Sequence, residues 1–323
     1  MRISVSSSDE LIRLDNFLSS RLIQFSRSKI QKLILNGNIT VNNKSAKKNL
    51  KLSYGDKIDI DKNSFEPSEI SSTLKKWDYP LEVIYKDDNF AIINKPLGVI
   101  SHPTTNNKDK TLVNIVLNKF EKELRNHPDP LRPGIVHRLD RDTTGVMIIP
   151  FNDHAHWKIA DQFKNREVQK EYVALTWGEW TKNEGKIDNN LKRSKKNPLK
   201  FQSSSKGKNA SSEFKLLKSG RYFSAITFYP KTGRTHQIRV HCSEEGFPII
   251  GDDLYGGGIS KLNEYLPEVQ KKMKKVIEQN NGHYLHAARI SFMHPETKEK
   301  MTFKADPNEY FKNLLNLIVD NEI

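Results

Sequence analysis

Apolar residues recur along the first sixty positions with two different periods. Leu11, Leu14, Leu18 and Leu22 stand at helical spacing, with Ser8 or Asp9 available as the N-cap. The capping-box pair Ser28 and Gln31 announces a second helix that carries Ile30, Leu33 and Ile34, and Gly37 is placed to end it. The period then drops to two: Ile39 and Val41 alternate with polar neighbours, and so do Ile58 and Ile60 after the turn Gly55-Asp56. Two helices followed by short strands predict a small unit over 1–62. The polar, Ser-rich stretch 63–76, broken by Pro67, reads as a linker to a second domain over 77–323.

In the second domain strands dominate. Glu82–Tyr85 and Phe90–Asn94 flank a polar turn and predict a hairpin, and Phe214–Leu217 faces Phe223–Phe228 across Ser219-Gly220 in the same way. Ile135–His137, Val146–Phe151 and Lys170–Trp177 read as further strands. Asn152 or Asp153 caps a helix with Ala155, Ile159 and Phe163 inward, and another helix opens at Thr235 and ends near Gly246. The segment 259–281 reads as an inserted helical excursion, and the Ser-rich basic run 192–208 as a flexible loop. Hairpin-linked strands with few helices predict an α+β fold rather than a doubly wound sheet.

Composition sharpens this picture in one respect. The 323 residues carry 53 Lys and Arg against 39 Asp and Glu, a formal charge of +14. Such an excess suits a polyanion, because bound phosphates release condensed counterions. A coding bias toward Lys, Asn and Ile gives the same excess, so charge alone does not decide. In the N-terminal unit, however, Arg13, Arg21, Arg27, Lys29 and Lys32 share two short helices, as a surface that tracks phosphates would. The single cysteine, Cys242, excludes an intramolecular disulfide and a cysteine metal cluster. Residues 1–10 lack the apolar core of a signal peptide and no apolar run reaches the length of a membrane span, so a cytoplasmic protein without membrane contact is expected.

The most unusual local sequence runs from Pro133 to Val146, where His137-Arg-Leu-Asp-Arg-Asp-Thr-Thr-Gly145 forms a charged loop between apolar stretches. Such a loop either presents reactive groups or closes an internal ion-pair network, and its residue types alone fit both.

HRLDRDTTG is similar to the signature of the RluA/RluD-type RNA pseudouridine synthases, in which the Asp after Arg-Leu is catalytic; here that is Asp140. Four further stretches follow in the order of that family. YKDDNFAIINKPLGVISHP (85–103) resembles its Lys-Pro-x-Gly block, KEYVALTWG (170–178) its Tyr-bearing strand, TGRTHQIRVH (232–241) its Arg-bearing block and LHAARISFMHP (285–295) its Leu-His-Ala segment. The stretch from Arg13 to Asp61 resembles the small αL-type RNA-binding domain named after a small-subunit ribosomal protein, the S-four domain. The sequence departs from the family at Thr144, where Ser is commoner, at Gly282–Tyr284, and in the long 259–281 insertion.

The resemblance implies a pseudouridine-synthase fold, a mixed, mostly antiparallel sheet with flanking helices. It implies an isomerase that needs no cofactor or metal, with Asp140, Tyr172 and Arg234 as catalytic residues. Arg234 is expected beside Asp140, holding it ionised and lowering its pKa. Tyr172 offers a ring to stack on uracil, and Leu285 an apolar contact to its other face. His137 and Arg138 are expected to fill the space left by a flipped base or to hold phosphates. The expected partner is RNA, ribosomal first and transfer RNA second, and the expected oligomeric state is a monomer.

Rival chemistry is weakly supported. Asp153-His154-Ala155-His156 places its histidines two apart on a helix, on different sides. Gly256-Gly257-Gly258 lacks the Lys-Ser/Thr of a phosphate loop, and Cys242 beside His241 points away from it on a helix. The alternative from another class is an RNA-binding assembly factor of the same fold that breaks no bond.

Overall fold

The computed structural model describes residues 1–22, 27–61, 74–104, 107, 109–125, 127 and 132–319. Most of the expected linker therefore lies outside the described residues.

The N-terminal unit forms as its periodicity requires. Helices α1 (Leu14–Arg21) and α2 (Arg27–Leu35) pack on a four-stranded sheet of β1 (Arg2–Ser4), β2 (Ile39–Val41), β3 (Lys44–Ser45) and β4 (Lys57–Ile60), in the order β1-β4-β2-β3. Leu14, Phe17, Leu18, Ile30, Ile34, Ile39 and Ile58 make its core. Gly37 and Gly55 take the positive φ their turns require. Two expected caps are displaced. Ser8 and Asp9 lie in a 3-10 turn, Ser7–Asp9, and the exposed Leu11 is left-handed, so α1 begins only at Leu14. Ser28 lies inside α2 rather than before it.

Two of the basic side chains of this unit are paired and still about half exposed, and Lys32 is exposed. Arg13 is held by Asp15 at 3.1 Å and Arg21 by Asp9 at 2.8 Å. The side chains of Arg27 and Lys29 lie outside the described ones.

The second domain is built on one ten-stranded sheet. Its strands are β5 (Glu82–Lys86), β6 (Phe90–Lys95), β7 (Thr144–Pro150), β8 (Gln169–Trp177), β9 (Glu184–Arg193), β10 (Phe201–Ser203), β11 (Lys208–Ser219), β12 (Phe223–Pro230), β13 (Leu285–Met293) and β14 (Lys300–Lys304). The order is β10-β9-β11-β12-β8-β13-β7-β6-β5, with β14 on β13. Every described strand pairing is antiparallel except β7 with β13, so the expected α+β class with a mixed, mostly antiparallel sheet holds.

Helices flank the sheet. They are α3 (Leu112–Lys119), α4 (Glu121–Leu124), α5 (Asp153–Asn165), α6 (Gln237–Glu244), α7 (Pro267–Asn280) and α8 (Glu309–Val319). Asn152 caps α5 by accepting from the Ala155 N–H, and Ala155 and Ile159 are buried as their spacing predicts. Two cores result. One lies between β5–β7, α3 and α5, and the other between β8, β11, β12, α7 and α8.

Three expectations change here. Ile135–His137 forms no strand and leads into the charged loop instead. The run 192–208 is not loose: β9 and β11 extend into a ribbon whose strand β10 pairs back on β9 through Phe201↔Arg193 to Ser203↔Leu191. The second helix opens at Gln237, not Thr235, with His236 as its left-handed N-cap residue. The 259–281 excursion is helical as expected, a 3-10 stretch Ile259–Glu264 followed by α7.

The parallel contact of β7 with β13 carries the charged loop, which enters β7 at Thr144. It is close enough that a Cβ on Gly145 would sit 2.3 Å from the Ala287 carbonyl oxygen, at a φ of +119°. Gly145→Ala should therefore cost about 2–4 kcal/mol, backbone strain and overpacking together. A lowered urea midpoint checks it, and an unchanged midpoint would count against the close approach.

Candidate active site

The charged loop is clamped from behind. Lys95, at the end of β6, is fully buried, and its Nζ donates to the carbonyls of Pro96, Val99 and Arg141 at 2.8, 2.7 and 2.9 Å. Ser101 Oγ donates to the Leu139 carbonyl at 2.7 Å and accepts from the Leu139 N–H at 3.2 Å. The backbone on both sides of Asp140 is thus fixed by the block around Lys95-Pro96. Three carbonyls require three N–H donors, so the clamp needs the ammonium form. Burial pushes Lys95 down to about 7, against the charges of Asp142 and Asp140.

The ion-pair reading of the loop holds in part. Arg141 and Asp142 pair with each other through two contacts of 2.9 Å, a local ion pair. Asp140 looks elsewhere. Its Oδ2 accepts from Arg239 Nη1 at 2.9 Å, and Arg239 is gripped from its other side by Asp252 at 2.7 and 2.9 Å. The expected pair with Arg234 is not formed. Arg234 precedes α6, and its Nε donates to the Asn209 carbonyl on β11 at 2.9 Å. Arg239 lies inside α6, whose first six residues are all buried, and its guanidinium reaches the carboxylate.

Two carboxylates around one guanidinium suit a buried arginine, whose charge persists and whose fork matches carboxylate geometry. Burial alone would raise the Asp140 carboxyl; His236, Arg239 and His283 act against it and hold it below the usual range. Burial keeps both imidazoles below their ordinary value, His283 at about 4, so near neutral pH the guanidinium is the charge that holds Asp140 ionised.

The Thr232–His236 turn is latched by Gln237. Its Oε1 accepts from Thr232 Oγ1 at 2.6 Å and from the Arg234 N–H at 3.0 Å. Its Nε2 donates to the Ser211 carbonyl at 3.0 Å and to Ser212 Oγ at 2.9 Å. His236 leaves this turn at a φ of 58°, a conformation costing about 1–3 kcal/mol in a residue other than glycine. Its Nε2 lies 3.8 Å from Asp140 Oδ2.

Asp140, Tyr172, Leu285, Arg138 and Arg234 line one cavity of about 110 Å³, with Arg239, His236 and Lys170. Burial, and then the charge of Asp140, raises Tyr172 well above the phenol range, so it stays protonated and donates rather than acting as a base. Burial lowers Lys170 to about 8. Thr144, the departure from Ser, keeps a working hydroxyl bonded to His286 Nδ1 at 2.7 Å.

His137 is placed differently from its expected role. Its Nε2 accepts from the Ile148 N–H at 2.9 Å, its ring stacks on Phe163 at 4.6 Å, and burial lowers it to about 3. A neutral ring tied to β7 is not free to enter RNA. Arg138 is exposed and, among the described residues, makes no ion pair. It stands at the common edge of three hollows: the small cavity, a groove of about 400 Å³ and another of about 690 Å³. Arg138, Lys164, Arg166, Lys170, Lys231 and Arg234 line the first groove, and no acidic residue does among the described ones.

Sequence reasoning missed Arg239, Asp252, His236, Lys95 and Lys170. Arg239 stood in the quoted block. Its neighbours Ile238 and Val240 point to other sides of the helix and do not mark it; its burial and its pairing with Asp252 appear only in the structure. Cys242 is buried, and burial raises its thiol, so it is no nucleophile. Among the described residues no helix is long and apolar enough to cross a membrane.

Comparison with known proteins gives the family. The family described as RNA pseudouridylate synthase matches residues 89–244, and the S4 domain matches residues 12–58. The ribosomal large subunit pseudouridine synthase D of Borreliella burgdorferi is 34% identical over 322 residues, 97% of this chain and 94% of that protein. The uncharacterized RNA pseudouridine synthase YlyB of Bacillus subtilis is 33% identical over 316 residues, 97% of each. The ribosomal large subunit pseudouridine synthase C of Buchnera aphidicola is 33% identical over 95% of this chain and 94% of its own length. Among solved structures, human RNA pseudouridylate synthase domain containing 1 shares the fold with a TM-score of 0.53 at 22% identity, over 71% of this chain and 84% of that one. With a relative one-third identical along nearly its whole length, the chain belongs to the RNA pseudouridine synthase family, enzymes that isomerise uridine in RNA, and carries an N-terminal S4 RNA-binding domain.

Proposed function

We propose that the protein isomerises uridines in large-subunit ribosomal RNA, with Asp140 as the catalytic carboxylate acting on a flipped-out nucleotide. One observation carries the assignment of Asp140. It is held ionised by Arg239 in a cavity that Tyr172 and Leu285 also line. The reaction breaks the C1′–N1 bond, turns the uracil, forms C1′–C5 and moves the C5 proton to nitrogen, so the product has the atoms of the substrate. Attack of a carboxylate on the sugar or removal of a sugar proton both start from the charged form.

Asp140 lies inside a cavity lined by Tyr172 and Leu285, where a uracil still stacked in a helix would not reach it, so the target leaves its stack. Tyr172 stacks on the uracil and Leu285 meets its other face. Arg138, at the mouth, takes the vacated place in the RNA. Arg234 belongs with Lys164, Arg166 and Lys231 in the basic groove, where phosphates are the natural ligands. The names of the Borreliella and Buchnera relatives favour large-subunit RNA; transfer RNA is the second substrate to test.

Tritium released from uracil C5 of unmodified large-subunit RNA, compared with transfer RNA, tests the substrate. Release from the ribosomal RNA alone is expected, and release confined to transfer RNA would overturn the assignment. Removing residues 1–62 should weaken RNA affinity about tenfold or more and flatten its salt dependence while the catalytic domain stays folded. Filter binding across a salt series measures both, and unchanged affinity would remove the docking role of the S4 unit.

A further inference from the structure

We infer that Tyr255 and His236 are a positioning pair for the Asp140 carboxylate, and that strand β10 of the basic ribbon sets the pair. The inference rests on the role proposed for Asp140.

The argument is one of proton counting. Tyr255 Oη has two partners: the Phe201 N–H at 2.8 Å and His236 Nδ1 at 2.9 Å. A backbone amide only donates, so the phenol oxygen accepts from Phe201. Its single proton is then available to His236 Nδ1, and we take that nitrogen as the acceptor. A neutral imidazole that accepts at Nδ1 carries its proton at Nε2. That nitrogen is the one 3.8 Å from Asp140 Oδ2, the oxygen already held by Arg239. The hydrogen-bonded chain therefore fixes which ring nitrogen carries a proton and aims that N–H at the catalytic carboxylate.

Packing fixes the ring as well. Phe201 and Tyr255 meet His236 edge-on, with centroids 5.7 and 5.6 Å away. The Arg239 guanidinium lies over the Tyr255 ring at 5.0 Å. The ribbon is in turn anchored to α6, where Glu244 accepts from the Ser203 N–H at 2.8 Å.

The charged groups facing His236 come from several elements: Asp140 and Arg138 from the loop, Arg239 from α6 and Asp252 from the turn after it. Burial leads and keeps the ring below its ordinary value. Burial also pushes Tyr255 up to about 12, so the phenol keeps the proton the chain requires. A contact of 3.8 Å before substrate arrives is of the kind that tightens in the complex. Arg193, stacked over Phe201 at 4.9 Å, Lys195 and Lys196 place basic groups on the same ribbon. RNA that settles on the ribbon therefore presses on the strand that orients His236.

Single-turnover kinetics on the full chain with RNA test the pair. Tyr255→Phe keeps the ring packing and deletes the oxygen that assigns the protons. Its rate constant should fall about 10-fold, the effect of one hydrogen bond to a charged group. RNA affinity should hold, and the acid limb of the rate profile should move to higher pH. His236→Leu should do the same, Tyr255→Phe should add little in that background, and His236→Gln, which keeps an N–H, should restore part of the rate.

Rates and acid limbs like wild type in folded Tyr255→Phe and His236→Leu would overturn the pairing, and so would fully multiplicative losses in the double variant. Asp140→Asn measured alongside separates the two levels. An active Asp140→Asn removes the reading underneath, whereas an inactive one beside an unaffected Tyr255→Phe removes the pair alone.

Discussion

Arg239→Leu should cut single-turnover isomerisation by at least about 100-fold and destabilise the protein by about 3–5 kcal/mol, the usual result of removing one partner from a buried ion pair. The guanidinium is the shared counter-ion of Asp140 and Asp252, the latter almost wholly buried. Without it two carboxylates face each other in a hollow where burial favours their neutral forms. The pH dependence follows in sign. The folded pKa of Asp140 lies below its unfolded value, so its contribution to stability is complete above the ordinary carboxylate range and is lost as pH falls through the folded value. In Arg239→Leu burial prevails, the folded pKa rises above the unfolded one, and mild acid should stabilise the variant relative to neutral pH.

Arg234→Ala is the contrast. Its guanidinium bonds a carbonyl at the rim of the basic groove, so RNA affinity should fall while melting temperature and acid limb stay near wild type. Urea unfolding and rate profiles of the two variants check this. If Arg234→Ala moved the acid limb and Arg239→Leu did not, the geometry around Asp140 would be wrong.

What the sequence showed and what it hid follow from range. Local chemistry was legible: the Asn152 cap, the Gly37 stop, the 223–228 hairpin and the Val146 strand each depend on neighbours within a few residues. The basic run 192–208 was misread because its order comes from Phe201 packing on Tyr255 and His236, more than thirty positions away. Helices α3 and α8 went unremarked although α3 is apolar and buried through its first six residues and α8 is amphipathic, Phe311, Leu314 and Ile318 marking its buried side.

The candidate site divides along the same line. Asp140, Tyr172 and Leu285 converge on one cavity as motif order implied. The choice between Arg234 and Arg239 depended on which side of an α6 turn faces a loop 99 residues distant, and His137 on a backbone amide of β7. Neither can be read from residue type. Arg141 pairs with Asp142 beside Asp140, so the charged loop holds a structural ion pair next to the carboxylate proposed as catalytic.

The most direct test is Asp140→Asn on unmodified large-subunit ribosomal RNA labelled with tritium at uracil C5. The substitution keeps size and one acceptor oxygen, replaces the other oxygen by an NH2 donor and removes the charge. Release should fall by at least about 1,000-fold, as expected when an essential nucleophile or base is lost, with RNA affinity near that of wild type and the variant still folded. Tritium release at the wild-type rate by the folded variant would contradict the central role of Asp140.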